Sequence, residues 1–180
     1  MSEEVKDMGF YKYRYRGTFD WENLYQQART YFTRVLGSEV YFKEKKYKHK
    51  ELQFEVQWEI RHYYDAFSAW QYNVTLKVVD PVHRYEKVDG KTKRLVEGNL
   101  RVWVDYNYIS NYEMPTLAGG EKQMFAQGSM LQRMYWKLTW RERYDLAEDV
   151  GMFFVHDFIE EIKRLVEAQF GGYASIGEPW

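Results

Sequence analysis

Glu55 and Glu59, four residues apart in EVQWE, and Asp105 are the carboxylates whose spacing could support general acid and base chemistry. Acidic side chains at i and i+4 of a strand share one face. On an exposed sheet face, however, carboxylates are usually solvated and paired across strands with cations, here Lys77 or Arg101, and that is the expectation. Histidine offers less, because His49, His62, His83 and His156 include no helical metal-binding pair. His62 falls on the apolar side of its strand and His156 in the last helix near Asp157, so the two could meet as a polar spot in the core. Leu117 to Lys122, LAGGEK, has neither the spacing nor the hydroxyl of a phosphate loop. There is no cysteine, which excludes disulfides, thiolate metal sites and thiol nucleophiles. The expectation is a chain with no catalytic residue, no metal site and no cofactor.

Two basic-aromatic stretches carry more information: YKYRYR at 11–16 and YFKEKKYKHK at 41–50. Lysine and arginine beside tyrosine on a sheet can neutralise phosphates and stack on bases. Lys12, Arg14, Lys43, Lys45 and Lys46 are therefore a candidate basic patch for RNA or a ribosome. The alternative is a sheet edge guarded by lysines, its tyrosines packed inside. Net charge is only −1 but unevenly spread, +6 over Gly9 to Lys50 and −4 over Trp140 to Phe170. A basic end and an acidic end suit a protein partner or head-to-tail self-association. Aromatic residues make up 19% of the chain. They predict either a thick ring-filled core or a cavity for an apolar small molecule, with Trp58, Trp70, Trp103 and Phe154 as its candidate lining.

The elements that position these residues follow from periodicity. Glu51 to Asp65 alternates Leu52, Phe54, Val56, Trp58, Ile60, His62 and Tyr64 with polar residues, the pattern of a strand with one buried and one wet face. Gly9 to Arg16, Glu39 to Lys48, Ala69 to Val79 and Lys93 to Tyr108 read similarly, with a short strand over Val82 to Val88 after the break at Asp80-Pro81. Asp89-Gly90 signals a hairpin and Gly98 a bulge. A helix capped by Thr18 or Asp20 runs to Leu36 before Gly37. Ser110 to Gly120 reads as a loop, Glu121 to Leu138 as a helix, and Thr139 with Glu142 as the capping box of another reaching Phe170. The fold class is α+β: a single domain with one antiparallel sheet of five to six strands and helices on its apolar face. Residues 1–8 and 173–180 are expected to be flexible tails. Residues 1–8 lack the apolar run of a signal peptide and no segment forms a membrane span, so the expected location is cytoplasmic.

Strand, helix, meandering strands and C-terminal helices resemble, in order alone, the helix-grip arrangement of START and Bet v 1-like proteins. That resemblance implies a curved sheet wrapped round a long helix. The aromatic-basic first strand, DWENLY at 20–25, KYK at 46–48, EVQWE at 55–59, GNLRVWV at 98–104 and the acidic last helix together resemble a group of uncharacterised small archaeal proteins, which have no activity to transfer. The functional expectation is a non-catalytic binding or assembly protein acting on a protein partner or on itself. A helix-grip carrier and an RNA-binding protein are the alternatives.

Overall fold

Five long stretches of alternating polarity can bury their rings together only as a sheet with one apolar face. The computed structural model describes residues 4–37, 40–50, 53–63, 68–88, 91–110, 130–170 and 173–177. In chain order the elements are β1 (Glu4–Phe19), α1 (Trp21–Leu36), β2 (Tyr41–Lys50), β3 (Gln53–Tyr63), β4 (Ser68–Val88), β5 (Lys91–Ser110), α2 (Met130–Phe170) and β6 (Tyr173–Gly177). The strands form one open antiparallel sheet in the order β2-β3-β4-β5-β1-β6.

Four elements depart from the expected boundaries. β1 starts at Glu4 rather than after residue 8, because a bulge between Asp7 and Gly9, with Gly9 at φ 135°, carries the pairing with β5 past the glycine. β4 does not stop at Asp80-Pro81. The ladder shifts between Val79 and Val82, so the proline sits at a bulge, where its missing N–H disrupts no ladder bond, and Asp80 takes φ 53°. Gly98 is not itself the bulge but stands opposite it, pairing with Gly17 of β1. Tyr173–Gly177 is a strand on the outer side of β1 rather than a tail. Finally, α2 runs unbroken through Thr139. No glycine or proline lies between 130 and 150, so propagation wins over the capping signal. Loop residues 111–120, the expected helix start at 121–129, the turn at 64–67 and Asp89-Gly90 lie outside the described residues; Val88 and Lys91 flanking that dipeptide are paired.

Both helices cover the same face. Asp20 caps α1 by accepting from the Asn23 N–H at 3.0 Å, and α1 buries Trp21, Leu24, Ala28, Tyr31 and Phe32. Trp21 packs on Phe54 of β3, while Phe32 bridges Tyr72 of β4 and Phe158 of α2. The acidic helix turns part of its charge toward α1 and β1. The Tyr31 hydroxyl donates to Asp157 at 2.6 Å, Tyr13 donates to Glu167 at 3.1 Å, and Arg34 reaches Glu161 at 3.1 Å. Among the described residues no helix is long and apolar enough to cross a membrane.

Candidate functional site: the open face of the sheet

The face opposite the helices is built by the other parity of each strand: Phe10, Lys12 and Arg14 on β1, Glu55, Gln57 and Glu59 on β3, Thr75 and Lys77 on β4, Arg101, Trp103 and Asp105 on β5. Among the described residues no helix packs on it. It holds a shallow groove of about 490 Å3. Phe10 and Trp103 give the groove two rings, Lys12 and Lys77 two cations, Glu55 and Asp105 two carboxylates, and Gln57 and Thr75 neutral hydrogen-bonding groups.

Glu55 and Glu59 are held by neighbouring cations and amides. Glu55 is only 8% exposed and Glu59 7%. Glu55 pairs with Lys46 and accepts from Gln53 and Gln57 at 2.8 and 2.9 Å, whereas Glu59 pairs with Lys45 and with Arg61 at 3.1 Å. A bulge in β2 between Glu44 and Lys46 lets the consecutive lysines 45 and 46 both reach this face. Hydrogen bonding from Lys46 holds the Glu55 carboxyl below its ordinary 4.5, against its burial. Burial pushes Glu59 up, but Lys45 and Arg61 more than offset it and leave it lowered too. Asp105 moves the other way, raised by burial and by the neighbouring charge of Asp7. Neither Lys77 nor Arg101, the expected cross-strand partners, forms an ion pair among the described residues; Lys77 stands directly opposite Glu55 and its charge helps to lower that carboxyl, whereas Arg101 stands opposite Lys77.

A depressed folded pKa means that the unfolded chain takes up protons first. Glu55 and Glu59 thus add stability that is present above pH 4.5 and is lost as pH falls below it. Denaturant midpoints are expected to fall between pH 5 and pH 3. The slope should be shallower in Glu55→Gln/Glu59→Gln; an unchanged slope would mean the pairs contribute nothing.

The sequence-derived residues separate on this scaffold. Lys12 and Arg14 lie on β1, but Lys43, Lys45 and Lys46 lie on β2, with β5, β4 and β3 between. At about 4.8 Å per strand the two halves are roughly 19 Å apart, so the five cations make no contiguous patch. The four candidate cavity residues also divide. Trp58 and Trp70 are fully buried under the helices, Trp58 against Tyr25 and Phe42, Trp70 against Tyr72, Tyr106 and Tyr108. Phe154 of α2 is half-buried on that side near His62. Trp103 faces away from them, because Val102 and Val104 claim the apolar face and a strand alternates.

The two histidines do not pair. His62 lies by Phe154, whereas His156 meets the edge of Tyr11 on β1, three strands away. Three other polar atoms on the helix-covered side, His62 Nδ1, Trp70 Nε1 and the Tyr72 hydroxyl, are buried with no hydrogen-bond partner among the described residues. His62 stands opposite Trp70 in the ladder. Burial lowers the His62 pKa and raises that of Tyr72. Removing an unsatisfied buried hydroxyl relieves its desolvation cost, so Tyr72→Phe is expected to stabilise by about 1 kcal/mol. A loss of that size in urea unfolding would show instead that the hydroxyl is satisfied.

Sequence reading placed Lys77 and Arg101 on this face as partners of the carboxylates, but missed Phe10 and the alignment of the two cations with Arg14, and misplaced Trp103. The signal was present in the parity of each strand, but only the register aligns them. Lys77 stands opposite Arg101, and Arg101 opposite Arg14. These features define an α+β protein with an open sheet, helices on one face and a polar groove bearing two rings on the other. No protein-family model matches the chain, and neither the curated proteins nor the solved structures contain a match.

Proposed function

We propose that the protein is a non-catalytic binding module that holds an anionic partner on the open face of its sheet. The observation that carries this reading is the row Lys77, Arg101, Arg14 across three adjacent strands. Like charges directly opposite one another destabilise a sheet. Among the described residues no carboxylate forms an ion pair with any of the three. Departures from local rules of this kind concentrate at functional sites, and a bound anion would turn the repulsion into attraction. Lys48 extends the same row on β2, beyond Glu55.

Net charge gives no general reason for the chain to bind polyanions, since it is −1 with a pI near 6.4. Retention on heparin at low salt would therefore report segregated charge. The wild type is expected to be retained and to elute on a salt gradient, and Lys77→Glu/Arg101→Glu to pass through. Equal elution of the two would remove the proposal.

A further inference from the structure

Resting on that reading, we infer that the anionic partner is a single-stranded nucleic acid, its phosphates on the Lys77–Arg101–Arg14 row and its bases stacked on Trp103 and Phe10. The two rings occupy adjacent strands one diagonal apart, Trp103 opposite Lys12 and Phe10 opposite Asp105. On one sheet face such diagonal neighbours are about 7–8 Å apart. Both residues are half-buried and line the groove. Lys12 Nζ lies over the Phe10 ring, 4.6 Å from its centre, so a cation already covers one face of that ring and Trp103 is the principal platform. Trp103 follows Arg101 by two residues, so the ring platform and the cation row are adjacent strips of one surface.

The distribution of charge selects the occupant. The groove itself carries Asp105 at an exposed position, whose carboxylate would repel the side chains of an acidic peptide laid across it, whereas Glu55 is already paired with Lys46. A nucleic acid strand separates its charge from its flat neutral bases. It can place phosphates on the cation row while bases cover the carboxylate-bearing groove, where Gln57 and Thr75 can hydrogen-bond to base edges. A duplex hides its base faces in the stack and offers nothing to Trp103. Aromatic platforms bordered by cations are the general means of binding single strands.

Fluorescence anisotropy with the full chain tests this, using labelled single-stranded RNA and DNA of about ten nucleotides, within the range of small single-strand sites. The same RNA annealed to its complement and a polyglutamate of equal charge complete the set. Single strands are expected to bind best. Trp103→Ala should weaken them about tenfold or more, and Trp103→Phe far less. Lys77→Gln/Arg101→Gln should lower the logarithmic salt slope by about 1.4. RNA binding tighter than DNA would assign the strand as RNA, and the reverse as DNA; both support the inference. Polyglutamate or duplex binding as tight as the single strands, with Trp103→Ala without effect, overturns the nucleic acid while leaving the anionic surface standing. Failure of every polyanion to bind overturns both.

Discussion

Gly151→Ala is expected to destabilise the protein by about 1–3 kcal/mol, the usual cost of overpacking, although the same exchange in an exposed helix would stabilise it by about 1 kcal/mol. The sign is set by Trp70. A Cβ on Gly151 would lie 2.7 Å from Trp70 Cζ3, and the two next nearest atoms, at 3.0 and 3.1 Å, belong to the same ring. That ring cannot swing aside, because it is fully buried with Tyr72, Tyr106 and Tyr108 around it. The helix must lift or the ring must leave its place, and either loosens the cover over β4 and β5. A smaller ring makes room, so in a Trp70→Phe background the alanine should cost much less. Urea unfolding of the four proteins in this cycle gives the coupling. Additive effects, or a stabilised Gly151→Ala in the wild-type background, would show that the close approach is not tight in solution.

Much of the sheet was legible because period-two patterning is strong. Phe54, Val56, Trp58 and Ile60 on one side of β3, and Tyr11, Tyr13 and Tyr15 on one side of β1, could hardly be read otherwise. Breakers were less informative than they look. Asp80-Pro81 and Gly98 read as interruptions, yet a bulge absorbs the first and the second stands opposite it. Thr139 with Glu142 reads as a helix start, but such a box only satisfies backbone donors when a chain end needs them, and α2 has none there. The candidate site was the least legible part. Its residues come from four strands, and alignment of Lys77 with Arg101 and Arg14 depends on loop lengths and bulges that fix register. Parity alone puts Trp103 on the wet face of β5, since Val102 and Val104 on either side of it are the buried residues. Tyr173–Gly177 was missed for a different reason: a short strand added to an edge has too few residues to show a period.

Arg101→Gln is expected to make the protein more stable and less able to bind, a pairing that separates a site from a scaffold. Arg101 lies between Lys77 and Arg14, so one substitution removes two like-charge contacts. Each directly opposed pair is worth about 0.2–1 kcal/mol, giving a gain of up to about 2 kcal/mol. Screening weakens the repulsion, so the gain should be largest at low ionic strength and shrink as salt is added. Heparin elution should move to lower salt in the same variant. Glu55→Gln provides the contrast, because it removes an anion that offsets Lys46, Lys48 and Lys77 and so should strengthen retention while lowering stability. If Arg101→Gln instead destabilised the fold at every salt concentration, the arginine would be a packing residue, its long stem covering the sheet, and the row would lose its claim to function. If stability rose and retention held, the anion would have to sit elsewhere. Only the opposed changes agree with a surface kept under electrostatic tension because a partner relieves it.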